Sequence, residues 1–407
     1  MRTRTSCVAV ALVCLSRPSA AQTVLSEADA LARLSAGSPR VRAIRAAVEV
    51  ARADILAAGR WPNPRATFNR EGVAGVTENM LMIAQPLPVT GRRALDVSAA
   101  SAMAEARARR ADDEVRLARS ALRSAFADLL SAQAREDEFA RARDRLREVT
   151  QVLARREAAG EAAGYDRLRA DRETMDLDAE WAAARVDRAR AQGALAAFFA
   201  DPGDLTGIVA AAPATPTTRA APTVDDLMAL AGRTLGEPAA LRDEIESAKF
   251  ADRAAARRAV PEPEVVAGTK SSTLGGGDLG SVISVHVSVP IFDRARPERA
   301  LARARREQAE ARADAFRVSL RSEITAARAI LIERREAADR YRTATSESAD
   351  RLERIAQVSY DAGERGILEL LDAFRSRTSA RMRQIALDGA ARQAEIELEL
   401  ASGWEAR

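Results

Sequence analysis

Trp61-Pro62-Asn63-Pro64 and Val260-Pro261-Glu262-Pro263 are two copies of one landmark, and reading them as copies decides the fold. Pro62 lies 23 residues after Pro39, which opens Arg40-Val41-Arg42-Ala43-Ile44; Pro261 lies 23 residues after Pro238, which opens Ala239-Ala240-Leu241. Further on, Gln85-Pro86-Leu87-Pro88 is answered by Val289-Pro290-Ile291-Phe292. Ala159-Gly160-Glu161-Ala162-Ala163-Gly164 is answered by Ala362-Gly363-Glu364-Arg365-Gly366. Four landmarks in the same order point to an internal duplication. The chain divides into a first repeat, 22–201, a Pro/Ala/Thr-rich linker, 202–222, and a second repeat, 223–407.

Between landmarks the periodicity changes in the same way in both halves. Residues 26–60 and 223–258 are Ala-rich and helical in pattern and end at the Pro-x-Pro motif. Two strand-like runs follow in each half: 65–70 and 80–85, separated by Gly72 and Gly75, then 264–270 and 281–289, separated by Gly275-Gly276-Gly277. In the last run Ile283, Val285, Val287 and Val289 alternate with Ser284, His286 and Ser288. That pattern suits a half-buried sheet or a barrel strand with lipid on one side and water on the other. Each hairpin feeds a helix of about 100 Å, 92–158 and 297–361, without an internal proline. Heptad-spaced positions run Ile324, Leu331, Ala338, Thr345, Leu352 and Leu320, Ala327, Arg334, Tyr341, Ser348, Ile355; Val115, Leu122 and Leu129 do the same in the first half. A Gly-containing turn reverses each long helix into a return helix, 166–199 and 367–403. The expected fold is mainly α with a small β part: duplicated long coiled-coil hairpins plus four strands.

Composition agrees with elongation. The chain has 407 residues, 47% hydrophobic and 30% charged, but only 4% aromatic, too few large side chains for several compact cores. The net charge of +4 owes most of its excess to the N-terminus. There Arg2 and Arg4 precede an apolar run from Cys7 to Leu15 and small residues Ser19 and Ala21, the pattern of a cleaved signal peptide over 1–21. Cleavage discards Arg2, Arg4 and Arg17 and no acid, leaving the chain within about one charge of neutral and removing the case for a nucleic-acid partner. Cys7 and Cys14 leave with it, which excludes disulfides and Cys chemistry. Val13 before Cys14 disfavours a lipid anchor.

Catalytic constellations are absent from the pattern. His286 is the single histidine, no phosphate loop is present, and the reading is of a protein that is not an enzyme and needs no cofactor or metal. One imidazole without acidic neighbours in sequence makes a poor metal ligand set, and a lumen-facing polar role suits His286 better. Glu369 and Asp372, in Gly366-Ile367-Leu368-Glu369-Leu370-Leu371-Asp372-Ala373, are three apart on one helix face, with Ile367, Leu368 and Leu371 expected to pack the other side. In a symmetric oligomer they would form a carboxylate ring able to select cations or close a pore.

These pieces resemble the TolC-like outer membrane factors over the whole mature chain. Ile83-Ala84-Gln85-Pro86-Leu87-Pro88-Val89-Thr90-Gly91-Arg92-Arg93 is similar to the strand exit of the heavy-metal (CzcC-like) branch. The resemblance implies a homotrimer whose protomers share one twelve-stranded barrel in outer membrane lipid, with a helical tunnel through the periplasm. It implies a passive exit duct for an inner-membrane transporter, of RND type, working through a periplasmic adaptor. It places the gating acids at Glu369 and Asp372 and the adaptor-docking tips at Gly160, Glu161, Gly164, Gly363, Glu364 and Gly366. Arg167 and Ala170 stand at the first-half places of the acids, and Trp61, Phe68 and Phe292 are the aromatics available for interfacial belts. The other readings are an exit duct of a type I secretion system and a periplasmic coiled-coil adaptor or scaffold.

Overall fold

The computed structural model describes residues 23–34, 37–160, 164–200, 207–212, 219–274, 277–292 and 294–405. The segment 1–21 read as a signal peptide, with both cysteines, most of the stretch 202–222 read as a linker, and Glu161, Gly275 and Gly276 lie outside the described residues.

The first half contains β1 (Thr23–Leu25), α1 (Glu27–Arg33), α2 (Pro39–Ala58), β2 (Arg65–Val73), β3 (Val76–Pro86), α3 (Arg92–Ala158) and α4 (Gly164–Ala196). The second contains β4 (Ile208–Ala210), α5 (Val224–Thr234), α6 (Glu237–Arg257), β5 (Pro263–Ser272), β6 (Leu279–Val287), α7 (Arg296–Asp361) and α8 (Ile367–Ser402). The helical stretches expected over 26–60 and 223–258 are each broken in two, and in the first half a proline is the reason. A proline disfavours helical geometry in the residue before it and supplies no N–H of its own. Ser38, before Pro39, is extended and caps α2 by accepting from the Val41 N–H at 3.3 Å. In the second half the break falls three residues ahead of Pro238: Leu235 is extended, Gly236 and Glu237 are already helical, and Pro238 sits in the first turn of α6, where its missing N–H costs no hydrogen bond. β4 falls inside the stretch read as linker and pairs in parallel with β1, Val24 opposite Val209.

β2–β3 and β5–β6 are antiparallel hairpins, and β3 pairs antiparallel with β5, so the two halves contribute to one four-stranded sheet, β2-β3-β5-β6. Gly268 makes the junction possible. A Cβ there would sit 2.2 Å from the Leu81 carbonyl oxygen, an approach only glycine permits. Among the described residues no helix is long and apolar enough to cross a membrane.

Three apolar clusters hold the helices. One joins Leu25, Leu34, Leu122, Phe126, Leu129 and Leu195; a second, in the other half, joins Leu227, Leu235, Ile324, Leu331, Leu398 and Trp404. The third lies at the far end from the sheet. Charged side chains tie half to half between them. Asp113 of α3 accepts from the Gly236 and Glu237 N–H groups, at 2.9 and 2.8 Å, capping α6 from outside. Arg110 sits between Glu237 and Glu244, and Arg123 between Glu27 and Glu399.

The heptad reading of α7 holds only in part. Leu320, Ile324, Leu331 and Ala338 are buried, but Leu352 and Ile355 are half-exposed; beyond Ala338 the buried line runs through Ala349 and Tyr360. That is an 11-residue step. A straight helix of 3.6 residues per turn drifts off a strict seven-residue repeat by about 20° per heptad, so the seam moves sideways where the supercoil relaxes. Leu352 and Ile355 are then carried out to a free face.

Candidate functional site

Two surfaces carry the chemistry, the sheet and the helical tip. The strands are 9, 11, 10 and 9 residues long, the length a tilted strand needs to span a bilayer. Register sorts their side chains. Phe68 opposes Leu81, Ile83 opposes Ala267, and Val265 opposes Val285, so one face carries Ala66, Phe68, Leu81, Ile83, Val265, Ile283, Val285 and Val287. This face has no covering: Phe68 is 64% exposed, Ile283 80% and Val285 61%. An apolar face of this extent in water would be an aggregation liability. The other face carries Arg65, Thr67, Asn69, Glu71, Glu78, Lys270, Glu264, Ser284 and His286, and its ion pairs lie there. Lys270 meets Glu78 at 2.7 Å, and Arg65 pairs with Glu264, whose other carboxylate oxygen lies 4.0 Å from His286 Nδ1. The outer strands β2 and β6 each have one unpaired edge.

The strand exit is a joint. Gln85 Nε2 donates to the Pro62 and Pro86 carbonyls at 3.1 and 2.9 Å. Thr90 Oγ1 donates to Glu262 at 2.6 Å, Arg92 reaches Glu262 and Asp96 at 3.4 Å each, and Arg93 donates to the Gly59 carbonyl at 2.7 Å and lies over the Trp61 ring. Gly91 has φ +75°, the left-handed turn that aims the chain into α3. The polar groups of the run thus hold the Pro-x-Pro segments of both halves to the base of α3. Trp61, Phe68 and Phe292 are all exposed, as interfacial aromatics would need to be.

At the other end, α7 stops in a glycine-closed turn. Gly363 has φ +75°, its N–H donates to the Tyr360 carbonyl at 3.0 Å, and the Glu364 N–H donates to the Ser359 carbonyl at 2.8 Å, the double bond of a Schellman motif. Gly160, also at φ +75°, closes α3 with its N–H on the Glu157 carbonyl at 2.9 Å. Gly366 caps α8 in extended geometry. Glu364, between Gly363 and Gly366, is exposed together with both of them and with Gly160 and Gly164.

Both turns stand on one core. Ile367, Leu370, Leu371 and Phe374 of α8 pack with Leu146 and Leu153 of α3, Ala170 of α4 and Tyr360 of α7. Glu369 and Asp372 emerge on the opposite, exposed face, and Glu369 lies in the first turn of α8, where the helix dipole favours an anion. Leu368, expected in the core, is 49% exposed, because it falls on the same side as Glu369 and Asp372 rather than on the Ile367–Leu371 stripe. Ala170 is fully buried and Asp372 exposed, so the first-half position carries neither an acid nor an exposed side chain. Arg167 is engaged with Glu157 at 2.6 Å. Arg375, one turn after Asp372, pairs with Glu173 of α4; that bond, with help from Asp176 and Asp372, holds its guanidinium in the charged form. Arg156 lies 5.7 Å from the Tyr360 ring centre, and burial pushes the Tyr360 hydroxyl pKa up, with Asp166 adding to the effect.

Sequence reasoning missed the Arg65–Glu264–His286 grouping. The acid beside the imidazole comes from the neighbouring strand, and only the register brings it there. Among the described residues no group of three or more His, Cys, Asp and Glu is placed to hold a metal ion.

Residues 240–404 match the family model described as outer membrane efflux protein. No curated protein matches the chain in sequence. A membrane protein from Pseudomonas aeruginosa has the same fold over 93% of both chains, with a TM-score of 0.76 and 19% identity. The outer membrane protein VceC of Vibrio cholerae matches 94% of this chain and 97% of its own, with a TM-score of 0.76 and 18% identity. The MtrE outer membrane channel of Neisseria gonorrhoeae, in its open state, matches 93% of this chain and 88% of its own, with a TM-score of 0.73 and 17% identity. Residues 240–404 therefore carry the sequence pattern of the outer membrane efflux proteins, and the chain as a whole has the fold of outer membrane channels.

Proposed function

We propose that this chain is the outer membrane exit duct of a tripartite efflux system, a passive channel with no covalent chemistry. The observation that carries the reading is the four-stranded sheet, with an uncovered apolar face, a charged opposite face and two free edges. Open edges are not tolerated in lipid, where each unpaired backbone group costs several kcal/mol, so the edges must close on other copies. Three copies of four strands give a twelve-stranded barrel with Phe68, Ile83 and Val285 toward lipid and the ion pairs toward water. The signal segment 1–21 directs export, and the paired long helices extend the tunnel into the periplasm.

In this reading Glu369 and Asp372 form the periplasmic ring that keeps the tunnel shut, and the turns at Gly160–Gly164 and Gly363–Gly366 receive the adaptor. An inner-membrane transporter of RND type supplies the cargo. The similarity of Gln85–Arg93 to the heavy-metal branch favours metal cations as that cargo. Native mass spectrometry of the detergent-purified protein tests the assembly: a trimer is expected, and a monomer overturns the reading. Alkaline washing of membranes provides a second test, since release by alkali would indicate a peripheral coiled-coil protein instead.

A further inference from the structure

The large apolar side chains left exposed on the helices are not scattered. Among the described residues, apart from Leu117 on α3 and Leu368 on α8, every one lies on α2, α4 or α7. Those three helices are the edges of the helical layer. Near the sheet α2 packs on α3, α3 on α6 and α6 on α7, matching the strand order β2-β3-β5-β6; toward the tip the order is α4, α3, α8, α7. One edge is therefore α7 along its whole length, and the other is α2 followed by α4. α7 has two charge-free lines. One, through Ala302, Ala309, Leu320, Ile324 and Leu331, is buried within the copy. The other takes every third or fourth residue from Ala304 through Gln308, Ala311, Ala315, Val318 and Ser322 to Ala329, on the opposite side of the helix, and is exposed throughout, Val318 by 73%. Arg303 and Glu310 fall on one flank between the two lines, Arg305 and Arg312 on the other. A helix so patterned suits a packed neighbour on each of two opposite sides and water on the remaining two. α2 repeats the pattern: Val41 and Val48 are buried, and Ala43, Ala46, Val50, Ala53 and Ala57 form an exposed line on the far side, Val50 by 68%. So does α4, buried at Ala170 and Ala184 and exposed at Met175, Ala179, Ala182, Val186 and Ala189.

From these lines we infer that α7 of one copy packs against α2, and nearer the tip against α4, of a second copy of this chain, as an alanine-lined coiled coil. The inference rests on the channel reading above, because the occupant is the copy whose β2 closes on β6. Continuity identifies it. β6 leads into α7 and α2 leads into β2, so joining the free strand edges brings the two helix edges together. The 3–4 spacing on both sides is that of a coiled-coil seam, and small residues in it let the helix axes approach to about 8 Å, which closes the wall between copies. Toward the tip, Leu352, Ile355 and Val358 are the exposed apolar side chains that α7 offers to α4. The two edges differ, so the contact is head-to-tail and generates a ring when it closes. Heights along the layer follow from ion pairs between neighbouring helices: Arg45–Asp112, Arg110–Glu244 and Asp252–Arg303. Stepping along the helices from these pairs sets Val50 level with the stretch from Ala304 to Val318.

The test is oxidative cross-linking in isolated membranes. Val50→Cys is combined in turn with Ala304→Cys, Ala311→Cys and Val318→Cys. Within one copy α3 and α6 stand between the two positions, about 25 Å or more of helix spacing, and cysteines with Cα atoms more than about 7 Å apart cannot be bridged, so a disulfide reports contact between copies. At least one of the three pairs is expected to yield covalent trimers on a non-reducing gel. Val50→Cys with Glu310→Cys, on the charged flank, is expected to yield none, and each single variant likewise. Absence of cross-links from all three pairs, in variants that remain trimers by native mass spectrometry, overturns the inference while leaving the channel reading intact. Equal linking through Glu310→Cys overturns it in the same way. A wild-type protein that is a monomer overturns the channel reading, and this inference with it.

Discussion

Arg377 of α8 lies at the centre of a buried charge cluster that joins three helices, and its removal tests whether charge holds the two halves together. The guanidinium meets Glu353 at 2.6 Å, Asp350 at 2.8 Å and Glu138 of the other half at 3.0 Å. Burial opposes its charge, but the carboxylates of Glu353, Asp350 and Glu138 outweigh that and hold it protonated. In Arg377→Met, Asp350 keeps Arg381 at 2.5 Å. Glu138 and Glu353 keep only Arg145, at 3.7 and 3.6 Å, and for Glu138 the contact with Arg141 at 3.7 Å. Glu138 has 8% of its side chain exposed, so solvent compensates little. Removing one partner from a buried ion cluster costs about 3–5 kcal/mol, and that is the loss expected at pH 7.5. Helical circular dichroism melts of wild type and variant in detergent at pH 7.5 measure the loss. Equal melting temperatures would refute the reasoning.

Four other outcomes are expected. Asp113→Ala removes both acceptors from the start of α6 at a cost of about 1–2 kcal/mol, and faster hydrogen exchange at Gly236 and Glu237 reports it. The Arg110 hydrogen bond holds the Glu244 carboxyl below the usual range, so its contribution is full above about pH 4.3 and is lost as pH falls further; Glu244→Gln should flatten the acid side of the melting profile. Gly268→Val places a Cβ 2.2 Å from the Leu81 carbonyl oxygen and should abolish trimers in native mass spectra; an undiminished trimer would mean that β3 and β5 separate freely. Glu369→Ala with Asp372→Ala should raise single-channel conductance, and an unchanged closed state would make the two acids bystanders.

Much of the fold is legible along the chain because its signals are local. The long helices begin and end within a few residues of the expected limits, since Pro and Gly decide helix ends through φ and the missing N–H. The break at Pro39 obeys the same rule, which the apolar periodicity on either side conceals. β1 and β4 are three residues each, too short to carry a period, and their parallel pairing joins residues far apart in sequence. The tip acids share an exposed face as i,i+3 spacing requires. The exposure of Leu368 was not legible, because the choice of buried stripe on α8 is made by α3, α4 and α7.

By itself, then, the sequence determined the duplicated order of helix, hairpin, long helix and return helix, and which strand positions are apolar. Those properties depend on backbone conformation and on spacing within one element. Only the tertiary structure decided the meeting of β3 with β5, the capping of α6 by Asp113, the drift of the α7 seam from 7- to 11-residue steps and the placing of Glu264 between Arg65 and His286. Each of these joins groups from separate elements. Their partners are selected by strand register and helix rotation, which packing settles for the whole chain at once.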